Sequence, residues 1–152
     1  MWQNNVVKEF QNWGKEFNIE FTLKVFTSQT ALWTNIFHFT ADDADNVKYG
    51  DRIPALFIHK DGYLTICSAV NDNKNFRTDK KFVYGKEHRI SIMQWQNRAQ
   101  KYRFEIAMDG EYIQSIENKS PRSFPNVKLY ASDPWYPAFG PALGNICNVK
   151  IG

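Results

Sequence analysis

The stretch Ile19-Glu20-Phe21-Thr22-Leu23-Lys24-Val25 places an apolar side chain at every odd position and a polar one at every even position. A period of two is the repeat of a strand with one face in a core and the other toward water. The same repeat returns in Tyr102, Phe104, Ile106 and Met108, with Arg103 and Glu105 turned outward. It returns again in Val127, Leu129 and Ala131, and in Cys147, Val149 and Ile151. Turn signals stand between these runs. Asp61-Gly62 separates Ala55–His59 from Tyr63–Cys67, and Asp109-Gly110 separates Tyr102–Met108 from Tyr112–Ile116. Both read as two-residue loops that supply the positive φ of a tight hairpin. Val7, Phe10 and Trp13 suit either a short helix over Val6–Trp13 or an edge strand, and no other segment is convincingly helical. Many short strands with frequent turns predict an all-β fold, an antiparallel β-sandwich. No repeat, low-complexity stretch or linker divides the chain, so residues 1–152 read as a single domain.

A chain of 152 residues is long enough to bury a core without staples. Hydrophobic residues at 43% and charged residues at 23% exclude a disordered or membrane-embedded class, and no apolar run approaches the ~20 residues that span a bilayer. A net charge of +3 without a concentrated basic stripe argues against a nucleic-acid partner. The aromatic content of 16% suits pleated sheet surfaces and also sugar or peptide sites. Cys67 and Cys147 are too few for a metal cage or a disulfide framework; they either pair once or stay buried free thiols. Met1-Trp2-Gln3-Asn4 leads into polar residues with no apolar leader core. That start fits an intracellular protein or a mature domain with an added Met. One sequon, Asn118-Lys119-Ser120, is followed by Pro121.

Several segments together resemble the concanavalin A-like lectin and glucanase jelly-roll superfamily, near its laminin-G-like and pentraxin-like extracellular modules. They are Trp13–Phe21, Trp33–Phe39, Gly50–Ala55, Ser68–Asn71, Tyr102–Ile116 with its Asp-Gly tip, and the closing Ile146–Ile151. The resemblance covers nearly the whole chain, and its motifs are structural. It implies a concanavalin A-like jelly roll in a secreted or extracellular setting, with a cytoplasmic one left open. It also implies a non-enzymatic module that binds glycans, sulfated polysaccharides or proteins, sometimes through calcium.

The superfamily includes β-glucanases, and a retaining glycosidase needs two carboxylates about 5–5.5 Å apart on one face. Glu105, Asp109 and Glu111 lie in the right kind of segment, but Asp109 falls in a turn and Glu105 has no acid at Arg103 or Ala107. No catalytic pair is assembled, so no catalytic residue is assigned. His38, His59 and His88 sit in or beside separate strands and read as surface or packing residues. The loop Ala41-Asp42-Asp43-Ala44-Asp45-Asn46 concentrates hard oxygen donors. Asp42, Asp43, Asp45 and Asp51 are the ligands if calcium binds, although no cofactor is required and a solvated acidic loop is the simpler reading.

Two loops carry the binding expectation. Asn71-Asp72-Asn73-Lys74-Asn75-Phe76-Arg77 is dense in amides that suit vicinal hydroxyls. Tyr130–Pro137 adds aromatics on a proline-stiffened turn. Asn71, Asn73, Asn75, Arg77, Asp133, Trp135 and Tyr136 are the candidate ligand-binding residues. Turn formation and core capping are the competing uses of the same residues. Lys74, Arg77, Lys80, Lys81 and Lys86 form a basic set with Asp79 as its one acid, a weak anionic-glycan patch. The chain is expected to be a lectin-like module that binds glycan or an extracellular protein through rim loops, as a monomer or weak homo-oligomer. The alternatives are a structural or self-assembly domain of a modular extracellular protein and, more distantly, a β-glycan hydrolase.

Overall fold

Ile19, Phe21, Leu23 and Val25 are all buried on one face of strand β2 (Phe17–Val25), as the alternation requires. The computed structural model describes residues 3–152; Met1 and Trp2, the first two residues of the start read above, lie outside the described residues. The other strands are β1 (Val6–Trp13), β3 (Trp33–Thr40), β4 (Ala55–His59), β5 (Tyr63–Val70) and β6 (Asn73–Lys81). They continue as β7 (Glu87–Gln96), β8 (Tyr102–Met108), β9 (Glu111–Asn118), β10 (Phe124–Tyr130) and β11 (Gly144–Ile151). A six-stranded sheet runs β1-β10-β3-β4-β5-β6, and a five-stranded sheet runs β11-β2-β7-β8-β9. Every pairing within the sheets is antiparallel. Their inner faces meet over a core that includes Phe21, Leu23, Phe39, Ile58, Ile66, Ile92, Phe104 and Val127.

Val6–Trp13 is the edge strand rather than the helix. Phe10 packs on the core and Trp13 is buried, while Val7 is exposed. The Asp109-Gly110 loop has the expected paired positive φ values of 55° and 84°. The Asp61-Gly62 turn differs from the two-residue reading. His59 pairs with Tyr63 across three residues, and of these only Gly62 takes a positive φ. Alternation also fails in β11, where the register slips between Cys147 and Lys150 and Asn148 takes φ 55°. The extra residue leaves Cys147 and Val149 exposed, while Ile146 and Ile151 pack on the core. Both cysteines are free: Cys67 is buried on β5 in one sheet and Cys147 is exposed on β11 in the other. Asn118 is buried and donates from its amide to Gln94 Oε1, so the sequon is closed to a glycan.

Register slips recur at the margins. The pairings of β1, β6, β9 and β11, the end strands of the two sheets, each contain one. Of the interior pairings only β3 with β4 is interrupted, between Asn35 and Phe37.

All three histidines are buried and hydrogen-bonded. His88 Nε2 accepts from the Val83 amide at 3.1 Å, so Nδ1 carries the proton and donates to Asp109 Oδ2 at 2.6 Å. Burial alone would push the Asp109 carboxyl up. The bonds from His88 and the Arg89 amide outweigh it and hold the group below its ordinary 3.8. A carboxyl lowered in the folded state adds stability that is complete above its ordinary value and is lost as pH falls through the lowered one. Asp109→Asn will therefore flatten the acid limb of a plot of urea midpoint against pH, below about pH 5. An unchanged acid limb would remove Asp109 from the account.

Candidate functional site

Pleating sends Trp33, Phe57, Thr65, Cys67, Asn75 and Arg77 to the face of the six-stranded sheet that points away from the core. Register aligns them in rows. Phe57 lies opposite Thr65, and Thr65 opposite Asp79; Ala55 lies opposite Cys67, and Cys67 opposite Arg77. Two connections fold over this face. Residues 41–52 bring Asn46 and Arg52, and residues 131–143 bring Tyr136. Together they wall a groove of about 220 Å³. Ala55, Phe57 and Cys67 form a small apolar floor flanked by Trp33 and Tyr136.

Arg52 organises one wall. Its Nη2 donates to Asp45 Oδ1 at 2.8 Å and to Tyr136 Oη at 3.1 Å. Nη1 donates to Asn75 Oδ1 at 2.8 Å and to Cys67 Sγ at 3.5 Å, and Nε turns to Asp45. The guanidinium also lies 4.9 Å over the Phe57 ring. Burial works against its charge, but Asp45 and the neighbouring groups hold it more firmly protonated than usual. Tyr136 donates to Asp45 Oδ2 at 2.8 Å, and burial together with that bond pushes its hydroxyl up to about 12. Burial likewise raises the Cys67 thiol. Opposite Arg52, Arg77 lies 4.9 Å over Trp33 and bonds Asp79 through Nε at 2.9 and 3.1 Å.

The covering segment is clamped from beneath. Asn35, fully buried at the β3 slip, accepts the Asp133 amide at 2.8 Å and donates to the carbonyls of Phe37 and Leu56. Asp133, also fully buried, accepts the amides of Trp135 and Tyr136 at 3.0 and 2.9 Å and meets His38 Nδ1 at 2.8 Å. His38 Nε2 faces the Asp51 carbonyl at 2.7 Å. With an acceptor at each ring nitrogen, His38 bridges the two covering segments.

The seven ligand-binding candidates divide accordingly. Asn75, Arg77 and Tyr136, drawn from both loops, meet in the groove. Asn71 sits in the β5–β6 turn and bonds Glu117 O and Lys119 N, and exposed Asn73 caps the Asn75 amide. Asp133 is the buried clamp. Trp135, 37% exposed, lies edge-on to His38. Phe76 turns inward against Phe104. The basic set does not converge: Arg77 and Lys81 lie over Trp33 and Tyr63 on the groove side of β6, while Lys74 reaches the Val47 carbonyl at 3.4 Å at the far end of the strand. Trp33, Phe57, Thr65, Cys67, Asn46 and Arg52 line the groove without having been singled out.

The acidic loop finds its cations within the chain. Asp45 holds Arg52, and Asp43 takes Tyr130 Oη and, at 3.1 Å, Lys128 Nζ. Asp51 accepts the amides of Val47 and Lys48 at 2.7 Å each, while Asp42 is exposed. Among the described residues no three of these four carboxylates bring an oxygen each within 4.8 Å of one another; His38, Asp45 and Asp133 do. Both His38 nitrogens in that trio are already engaged.

Glu105 lies on the outer face of the five-stranded sheet, away from the groove. It is buried beneath Trp95, whose Nε1 donates to it, and accepts from Ser115 Oγ at 3.1 Å. Met93 and Ser115 are its direct cross-strand neighbours, and neither is an acid.

No protein-family model matches the chain, and no curated protein matches it. Solved structures do. A SAP-like pentraxin from Limulus polyphemus is 12% identical over 96% of this chain and 67% of that one, with a TM-score of 0.58. A human galectin-16 variant is 12% identical over 100% of this chain and 99% of its own, with a TM-score of 0.54. An endo-β-1,4-glucuronan lyase from Trichoderma reesei is 16% identical over 98% of this chain and 71% of its own, also at 0.54. At such identities the likeness speaks for the fold alone. The chain has the concanavalin A-like jelly-roll fold.

Proposed function

We propose that the protein is a non-catalytic, lectin-like module that binds a glycan in the groove on the outer face of its six-stranded sheet. One observation carries this reading. Aromatic walls from Trp33 and Tyr136 enclose unspent hydrogen-bonding groups, held in place by the network of buried Arg52 with half-buried Asp45 and Tyr136. Apolar sugar faces pack on aromatic rings, and oriented amides and guanidiniums select hydroxyl patterns. Asn75 commits its oxygen to Arg52, and among the described residues its Nδ2 has no partner. The galectin likeness supports the reading. The lyase likeness raises elimination chemistry, which needs a base to take a proton from the sugar. Tyr136 is unsuited to that role, because its hydroxyl is raised to about 12 and donated to Asp45. Calcium is not required in this reading, since Asp43, Asp45 and Asp51 are each held by groups of the chain itself.

A glycan array followed by calorimetry tests the proposal. Saturable binding is expected, unchanged by a calcium chelator, with Asn75→Ala weakening it roughly tenfold. Full affinity in both Asn75→Ala and Trp33→Ala would move the site elsewhere.

A further inference from the structure

The two guanidiniums at the groove differ in what they have left to give. All three Arg52 nitrogens are engaged, and its Nη1 and Nη2 serve two acceptors each. Arg77 bonds Asp79 through Nε and has the Tyr63 hydroxyl beside its guanidinium, and its Nη atoms make no close, well-aligned hydrogen bond to any described residue. The groove lining contains both arginines and no carboxylate; Asp45 is tied to Arg52, and Asp79, at the margin on the same face of β6, is tied to Arg77 Nε and Thr65 Oγ1. Cys67 lies in register with Arg77 and within reach of Arg52, so the two positive groups flank the floor. An Nη pair is a planar fork matched to a carboxylate, and the free Nδ2 of Asn75 stands one pleat away on the same face of β6.

Building on the glycan reading, we propose that the groove selects an acidic saccharide, its carboxylate clamped by the Nη edge of Arg77 with Asn75 as second donor. The buried Arg52 supplies positive potential and rigidity without touching the ligand. A neutral sugar would leave the Arg77 fork facing hydroxyls, which bind it less strongly.

Calorimetry with a galacturonic-acid tetramer, its fully methyl-esterified form and a sulfated galactan tetramer tests the clamp. The free acid should bind at least roughly tenfold more tightly than the ester, and raised salt should erode that advantage. Arg77→Gln should weaken the free acid far more than the ester and so remove most of the difference between them. Arg77→Lys, which keeps the charge but loses the fork, should restore only part of it. Matched thermal melts of these surface variants would exclude unfolding as the cause. Equal binding of acid and ester would overturn the clamp while leaving the glycan groove standing. Sulfated galactan binding as tightly as the free acid would overturn the carboxylate assignment. Binding of none of the three, with neutral glycans positive on the array, would overturn acidic selection alone. An array with no binder would remove both readings.

Discussion

Asp133→Ala will lower the unfolding free energy by about 3–5 kcal/mol, because it removes a buried acceptor and leaves several buried donors unpaired. Asp133 and His38 are both fully buried, and their side chains meet at 2.8 Å. Alanine would leave His38 Nδ1 without its acceptor in an interior that water does not reach. It would also orphan the amides of Trp135 and Tyr136. Stability should fall together with order in the covering segment, and ligand affinity should fall further than Asn75→Ala alone produces. Urea unfolding followed by tryptophan fluorescence measures the first effect, and amide exchange at Trp135 and Tyr136 measures the second. Asp133→Asn keeps an acceptor for those amides and should lose less, which preserves the test if the alanine variant does not fold. A midpoint unmoved by either substitution would show that the pair adds nothing to stability.

Arg52→Met will have the second largest effect, about 2–3 kcal/mol, with loss of most of the groove's affinity. Methionine can follow the apolar stem over Phe57 but cannot hold Asp45, Asn75 and Tyr136 together. Half-buried Asp45 would lose its cation, and Asn75 and Tyr136 would become free to turn. Adding Asp45→Leu should recover part of the stability, because exchanging a whole buried pair for apolar groups costs little. It should recover none of the binding. Parallel return of stability and affinity in the double variant would show that Arg52 acts through packing alone.

The sandwich was legible because strands such as β2 and β8 turn one face to the core and set polar residues on the other, which prints a period of two along them. β11 misled because one inserted residue at Asn148 reverses every later side chain, and no composition marks such a slip. The groove was half legible. Asn75, Arg77 and Tyr136 belong to loops whose chemistry suggested binding. Phe57 was hidden in Ala55-Leu56-Phe57-Ile58-His59, where apolar residues at both parities conceal an outer surface. Asn35 owes its role to the β3 slip, which pattern reading does not see. Arg52 directly follows the acidic run and Asp51, which read as a solvated loop with calcium ligands only if an ion binds. Arg52 and Lys128 bond Asp45 and Asp43 of that loop, partners that spacing along the chain does not reveal.

A sandwich of two open sheets exposes four strand margins, each a row of unspent backbone donors and acceptors onto which another chain can add. Here all four margins, β1, β6, β9 and β11, are interrupted within the pairing that holds them. Such kinks twist a margin and spoil its spacing as a template. Bulk lysines reinforce them at Lys8 in β1, at Lys74 and Lys80 in β6, and at Lys150 in β11. The irregular perimeter thus acts as a barrier to edge-to-edge addition of another chain, and leaves the outer face of the six-stranded sheet as the surface on which the proposed ligand would sit.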